Sequence, residues 1–373
     1  MSVRAKALAY LMLFFGVFGI LEVICGIGIK LFDRRVGLQP VTFPANDPSY
    51  YERAMRMFHF DPDIAWDMPT PVRSPQEVVP GRRYAASAYG DSVTYCREVK
   101  DDETWEHYFE RNTGHKIVNL GVAGGAPDMA YLKIRKYYDL YPSDVVLMCV
   151  LPENVNRLGS TLRKFLNRAD NFPLVKPRYE IHDSQFELYW PPIYEPDDVM
   201  RVGDRRFLSG IAQHDYFYQW FKRRYGFDLV WGRSFPYTFE FLQLLKGEVL
   251  LRNTDPGYIP RFAQPDDELY RILLFVMDQF LALSRKKGFK PAVVLHTTRQ
   301  DVPDDSFVAP FIAHLTTLGV RTFEVSAAFR SEVQANRVTV PELFAPNGHY
   351  SPRGNEIVAE ALANFMRREA LTP

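Results

Sequence analysis

Cysteine is scarce in this sequence, with three residues in 373, at positions 25, 96 and 149. They show neither a paired disulfide framework nor the spacing of metal ligands, so we interpret them as free thiols and predict no metal site. A phosphate-binding glycine loop is also missing, because the richest run, residues 121–125, lacks the required spacing and the lysine. The sequence therefore predicts no cofactor.

A surplus of charge of either sign is absent as well. The 45 Lys and Arg residues balance the 45 Asp and Glu residues, so the formal net charge is zero. This balance gives no electrostatic argument for nucleic acid as a partner. Hydrophobic residues make up 47% of the chain, a globular composition, and its length allows one large domain with an insertion or two domains.

The N-terminus, in contrast, contains a long apolar stretch. Between Lys6 and Lys30, residues 7–29 include a single charged residue, Glu22. At a helical rise of ~1.5 Å per residue, this stretch is long enough to cross a hydrocarbon core of ~30 Å. We therefore predict that residues 1–32 form a single-pass membrane anchor, with the remaining chain on the periplasmic or extracellular side.

A cleaved signal peptide is the alternative interpretation of the same stretch. Its apolar region would be residues 7–21, but the Gly-Ile-Gly at residues 26–28 is a poor cleavage site. Ile24 before Cys25 does not fit a lipoprotein signal. Positive charges flank both ends, so charge asymmetry does not decide the orientation. Glu22 either has a function within the membrane or reaches the headgroup region.

Beyond the anchor, the residue pattern predicts an α/β fold. We interpret residues 33–83 as a linker and N-terminal extension, and residues 84–373 as the main domain. Short apolar strands alternate with helical segments and are predicted at 84–89, 116–120, 144–151, 291–295 and 322–325. This alternation predicts a doubly wound parallel sheet. The rhythm is lost at about 159–261, an aromatic-rich stretch that we interpret as an insertion beside the sheet.

Four polar blocks follow predicted strands, at the sheet edge where open α/β folds bind ligands. They are Gly90-Asp91-Ser92, the NLGVAG run of residues 119–124, Pro152-Glu153-Asn154 and the NGHYSPRGN run of residues 347–355. In this order and spacing they resemble the SGNH (GDSL-type) hydrolase superfamily. The resemblance covers the chain from about residue 84 to the C-terminus, without the insertion, and implies a flavodoxin-like fold.

The resemblance also implies a role for each block. Ser92 would be the nucleophile and His349 its general base. The backbone N–H groups of Ser92 and Gly124 and the side-chain amide of Asn154 would form an oxyanion hole. The third block departs from the family pattern around Asn154, because Pro152 and Val155 stand where relatives usually carry a glycine and an aspartate.

Asn347 stands where relatives usually carry an aspartate shortly before the histidine. An amide can orient an imidazole but cannot stabilise an imidazolium as a carboxylate does. Two interpretations stay open. Either Ser92 and His349 act as a dyad oriented by another group, with Glu342 as one candidate, or the site is catalytically weak.

A serine-dependent ester hydrolase or deacetylase is the activity that the resemblance implies, acting on an acylated glycan or a small ester through an acyl-enzyme. One alternative is an O-acetyltransferase of a surface polysaccharide, which would need partner proteins in polysaccharide synthesis. A second alternative is a catalytically weak, glycan-binding member of an export assembly. Nothing in the sequence distinguishes hydrolysis from transfer.

Overall fold

The computed structural model describes residues 2–36, 39–44, 47–167, 169–170, 172–250 and 267–371. Within these residues the strands are β1 His59–Asp61, β2 Ala65–Asp67, β3 Tyr84–Tyr89, β4 Ile117–Asn119, β5 Ser143–Val150, β6 Arg178–His182, β7 Gln185–Tyr189, β8 Lys290–Leu295 and β9 Arg321–Glu324. The α-helices are α1 Val3–Val36, α2 Pro48–Met57, α3 Ser92–Tyr95, α4 Trp105–Thr113, α5 Pro127–Tyr137, α6 Arg163–Leu166, α7 Arg205–Ala212, α8 Tyr216–Tyr225, α9 Tyr237–Leu250, α10 Glu268–Lys287, α11 Ala309–Thr317, α12 Val325–Gln334 and α13 Pro352–Arg368.

Five strands form a sheet in the order β4-β3-β5-β8-β9, and every neighbouring pair is parallel. Numbered along the chain within this sheet, the order is 2-1-3-4-5, which is the flavodoxin-like doubly wound arrangement. The predicted fold class is therefore confirmed. The strand order reverses between β3 and β5, and folds of this type bind ligands beyond the carboxyl ends of the strands at that point.

Both faces of the sheet are covered, which explains the near-continuous apolar run of β5. Alternate residues of a strand point to opposite faces, and Val145 and Leu147 belong to a core that includes Trp105 of α4, Phe329 of α12 and Leu362 of α13. The intervening residues of β5 are equally buried, on the face where α5 and α10 pack. These five helices thus enclose β5, the strand that leads into the third polar block.

The chain forms two compact units. The sheet unit comprises residues 49–159, 174–198 and 267–371, and the helical unit comprises residues 2–48, 160–173 and 199–250. The predicted insertion therefore contributes the antiparallel β6–β7 hairpin to the sheet unit and α6 to α9 to the helical unit. Its predicted end, residues 251–261, lies outside the described residues, and the domain boundaries remain predictions. In the described chain, α1 is the one helix long and apolar enough to cross a membrane.

Two lysines of α5 hold the N-terminal extension against the sheet unit. The extension contains an antiparallel β1–β2 hairpin, whereas no strand was predicted there from the sequence. The fully buried Lys133 ammonium lies 2.5 Å from the buried carboxylate of Asp67 and donates to the Pro71 carbonyl at 3.1 Å. One turn further along α5, Lys136 pairs with Asp61 at 2.5 Å. Burial lowers the pKa of Lys133, and the Asp67 carboxylate opposes this effect.

Removing one partner of this buried pair is expected to destabilise the fold. Lys133→Met leaves the Asp67 carboxylate buried without a counter-charge, and we expect the free energy of unfolding to fall by about 3–5 kcal/mol. Lys287→Met is the matched control, because its partner Asp139, at 2.6 Å, is exposed and the loss of this pair should cost about 1 kcal/mol or less. Chemical denaturation of both variants checks this, and equal losses would contradict it.

Candidate active site

A sharp turn at the end of β3 positions the candidate nucleophile. Gly90 is required there, because a Cβ atom on it would lie 2.2 Å from the Thr94 hydroxyl and 2.7 Å from Cys149 Cβ. Asp91 then caps α3, its carboxylate accepting hydrogen bonds from the backbone N–H groups of Val93 at 2.9 Å and Thr94 at 3.3 Å. Ser92 is consequently the first residue of α3, where its own N–H has no acceptor within the helix.

The loop after β4 packs directly on this turn. The Asn119 amide donates to the Thr94 carbonyl at 2.8 Å, and the Val122 N–H donates to the Gly90 carbonyl at 2.9 Å. Gly124 follows with φ +77°, a left-handed conformation that favours glycine. Among the residues that the structure describes, its N–H makes no hydrogen bond. Gly124 therefore carries an available donor in the loop beside the serine turn.

Asn154, after β5, is tied to the same turn by its side chain. Its buried amide donates to the second carboxylate oxygen of Asp91. Its Oδ1 is buried without a hydrogen-bond partner in the described chain. Because an amide nitrogen carries two N–H groups, one remains available after the bond to Asp91. Asp91 thus connects the loops that follow β3 and β5, on either side of the switch point.

The structure brings His349 to Ser92 across 257 residues of sequence. The His349 Nε2 and Ser92 Oγ atoms lie 2.8 Å apart, within the reach that base activation of a serine requires. The tight turn before α13 fixes the histidine, because the Ala345 N–H donates to the His349 carbonyl at 2.7 Å. Ser92 and His349 are both half-buried, so the pair remains open to a substrate.

Glu98 is the carboxylate that faces the other imidazole nitrogen, and it was not among the site residues predicted from the sequence. Its Oε1 lies 3.6 Å from His349 Nδ1, an ion-pair distance slightly longer than a hydrogen bond. Asn347 instead accepts the backbone N–H of His349 at 3.4 Å, and Glu342 accepts the hydroxyl of Thr339 at 2.7 Å. Glu98 favours the tautomer with its proton on Nδ1, which leaves Nε2 free to accept the serine proton.

Burial is the main cause of a lowered pKa at His349. The nearby Arg97 and Arg157 guanidinium groups lower it as well, whereas the Asp91 and Glu98 carboxylates raise it without cancelling the shift. A pKa below the ordinary 6.5 keeps the imidazole neutral at pH 7. Neutral imidazole is the form that can take the proton of Ser92.

A second histidine, His296, was also not predicted from the sequence and contacts residues next to the site. His296 follows β8, and burial lowers its pKa to about 4, so it is neutral. Its Nε2 lies 3.3 Å from the Thr94 hydroxyl, and its Nδ1 lies 3.3 Å from the Tyr350 hydroxyl. The Thr297 N–H donates to the same tyrosine oxygen at 2.9 Å. This network fixes the residue that follows His349.

Over the described residues, no group of three or more His, Cys, Asp or Glu side chains is placed to hold a metal ion.

No protein-family model and no curated protein matches the chain. One solved structure that it resembles, from Desulfitobacterium hafniense DCB-2, is named for the lipolytic G-D-S-L family. That match has 9% identity and a TM-score of 0.34, and it covers 75% of this chain and 98% of the other. A match at this level is no evidence of activity. The evidence for a serine nucleophile is the contact between Ser92 and His349.

The pH dependence of serine reactivity follows from the state of His349. We expect a fluorophosphonate to label Ser92 at a rate that is constant near pH 7 and falls as the imidazole is protonated. Because the pKa is lowered, the fall should come at pH values below 6.5. Timed labelling of the full-length chain across pH measures this, with Ser92→Ala as the unlabelled control. A rate that does not respond to acid would contradict the assignment of His349 as the base.

Glu98→Gln tests the carboxylate that faces Nδ1. Loss of the charge that stabilises the imidazolium should reduce the labelling rate of Ser92 about tenfold at pH 7, since Glu98 is partly exposed and screened. This is far less than the roughly 10⁴-fold loss for the buried aspartate of a serine protease. The acid limb should move to lower pH, because Glu98 raises the pKa of His349. Glu342→Gln is the matched control, and an equal effect of both variants would refute the role of Glu98.

Proposed function

We propose that this protein is a serine-dependent ester hydrolase that acts through an acyl-enzyme. The observation that supports this most strongly is the 2.8 Å contact between Ser92 Oγ and His349 Nε2, at the switch point of a doubly wound sheet. A half-buried serine and histidine brought together by chance would not be expected to combine a lowered imidazole pKa, a facing carboxylate and a strand-to-helix turn that requires glycine.

The proposed reaction has two steps. The Ser92 oxygen attacks the ester carbonyl while its proton passes to His349 Nε2, and the tetrahedral intermediate collapses as this proton goes to the departing alkoxide. Water then attacks the acyl-serine, giving its proton to the same nitrogen, and Ser92 leaves with that proton. During each attack the imidazolium forms opposite Glu98, at 3.6 Å from Nδ1. Asn347 would act through the backbone of His349, as a positioning residue.

Three donors are proposed to stabilise the oxyanion. They are the N–H of Ser92, which has no acceptor within α3, the N–H of Gly124, and the second amide hydrogen of Asn154. Such donors are effective because they are fixed before the charge develops. Asp91 holds two of the three, since it caps the serine turn and accepts the Asn154 amide.

An acylated glycan is the substrate class that we propose, with deacetylation as the reaction. Trp190 and Tyr194 support it, because both expose aromatic side chains in the sheet unit and rings of this kind can stack on sugars. Transfer of the acyl group to a polysaccharide hydroxyl would share the first step and differ only in the acceptor. A purely glycan-binding role is disfavoured, since binding requires no Ser92–His349 contact.

We further propose that α1 is retained as a single-pass anchor, with the rest of the chain on the periplasmic or extracellular side. The helix runs through an apolar segment from Ala5 to Arg34, most of whose side chains are exposed. Its C-terminal half is bonded within the helical unit, where Asp33 pairs with Arg233 at 2.8 Å. Cleavage at residues 26–28 would remove Glu22, whose carboxylate accepts the backbone N–H of Thr238 at 3.0 Å.

Replacement of the nucleophile tests the proposed activity. Ser92→Ala should lower hydrolysis of a small acetyl ester and release of acetate from an acetylated oligosaccharide by at least about 10³-fold, with no loss of stability. Ser209→Ala, an alanine substitution at a serine of α7 in the helical unit, is the control and should leave both rates unchanged. Assays with added sugar acceptor separate transfer from hydrolysis. Activity of Ser92→Ala close to that of the wild type would rule out the proposal.

A further inference from the structure

The helical unit contains an apolar element that packs alongside α1. Residues 234–237 form a turn that leads into α9, and the tip of this turn carries Phe235, which is 68% exposed. Its ring lies 6.3 Å from that of Phe18 in α1. Tyr237 and Phe241 of α9 rest against the glycines of α1, with ring atoms 3.3 Å and 3.1 Å from where the Cβ atoms of Gly26 and Gly28 would lie.

These contacts fix the direction of α9. Glu22 of α1 contacts the first residues of α9, whereas Gly28 contacts Phe241, so the two helices run in the same direction. The start of α9 therefore lies at the level of Glu22, eight residues or about 12 Å before Lys30 along the helix axis. Lys246, further along α9, reaches the level of the positive residues that end the apolar stretch of α1. Glu240, in the first turn of α9, is paired with the Arg233 guanidinium at 3.3 Å.

Glu22 supplies hydrogen-bond acceptors for the first backbone N–H groups of α9. Its carboxylate accepts the backbone N–H groups of Tyr237, at 2.5 Å, and Thr238, at 3.0 Å, and also the Thr238 hydroxyl. The first N–H groups of a helix have no intrahelical acceptor, and in hydrocarbon no water can satisfy them. The Glu22 carboxylate, which projects from α1, accepts these N–H groups in place of water. Capping α9 is therefore the structural role of the single acidic residue in the apolar stretch.

We propose that residues 234–246 are inserted into the lipid bilayer beside α1, as a helical turn that enters one leaflet. Continuity with the exposed apolar surface of α1 supports lipid as the occupant of this face. The lipid-facing side chains are the exposed Phe235, Phe239, Leu242 and Leu245. Arg233, bonded to Asp33 at 2.8 Å and to Glu240 at 3.3 Å, lies where the segment enters at the membrane surface. This places part of the helical unit in the membrane.

Spin labels in the full-length chain in phosphatidylcholine vesicles test this. Nitroxides are attached at Phe235→Cys and Leu242→Cys, with Leu13→Cys of α1 as the lipid reference and the exposed Leu318→Cys as the water reference. The native cysteines at 25, 96 and 149 are buried, so the wild type gives the labelling background. We expect collision with oxygen to exceed collision with a water-soluble nickel chelate several-fold at 13, 235 and 242, and the reverse at 318.

The outcomes separate this inference from the anchor on which it rests. Lipid-like values at 13 with water-like values at 235 and 242 would overturn the inserted segment alone, whereas water-like values at 13 would overturn the anchor. Exclusion of both reagents at 235 and 242 would mean that protein, such as a second copy, covers the face, and would also refute the proposal.

Two substitutions at Glu22 test the capping contact. Glu22→Gln keeps an oxygen acceptor and should leave the label at 235 in lipid. Glu22→Leu removes the acceptor and should move the label at 235 toward the chelate, while the label at 13 stays in lipid. An unchanged value at 235 in Glu22→Leu would show that the carboxylate does not hold the segment in place.

Discussion

The buried carboxylate of Asp91 is the interaction on which the candidate site depends. One of its oxygens caps the serine turn through Val93 and Thr94, and the other accepts the amide of Asn154. These bonds join the loops after β3 and β5, the two strands between which the sheet order reverses. Through these contacts the carboxylate positions the serine turn and the Asn154 amide relative to each other. Asp91 belongs to the Gly90-Asp91-Ser92 block, one of the four sequence blocks that resemble GDSL-type hydrolases.

Orientation of His349 is where this chain departs from the pattern of the superfamily it resembles. The Asn347 side-chain oxygen accepts the backbone N–H of His349 rather than contacting its ring. The carboxylate that faces the imidazole is that of Glu98, in the loop after the nucleophile. Relocating the acid to a partly exposed position weakens its hold on the imidazolium, since solvent screens the charge. Burial is therefore the main cause of the lowered pKa that keeps His349 neutral.

Strand and helix-capping patterns in the sequence predicted the main elements of the fold. Contacts between residues distant in the chain could not be predicted in this way. The last helix, Pro352–Arg368, begins at local signals, because Ser351 caps it and Pro352 suits its first turn. Helix α12 was missed, since β9 runs into it at Val325 with no intervening turn residue. Glu98 and His296 could not be found from spacing, because their partners are distant in the chain, 202 and 54 residues away for the Thr94 and Tyr350 contacts of His296. The same holds for Glu22, whose bonds to α9 appear only in the folded chain.

The central claim is that Ser92 becomes acylated through His349. Rapid acid quench of the full-length protein after mixing with a p-nitrophenyl acyl ester, followed by peptide mass spectrometry, tests it most directly. The account predicts a burst of p-nitrophenol in proportion to the enzyme, with one acyl group on the peptide that contains Ser92, and a greatly slowed burst in His349→Ala. Catalytic turnover with the acyl group on another residue, or an equally fast burst in His349→Ala, would contradict it.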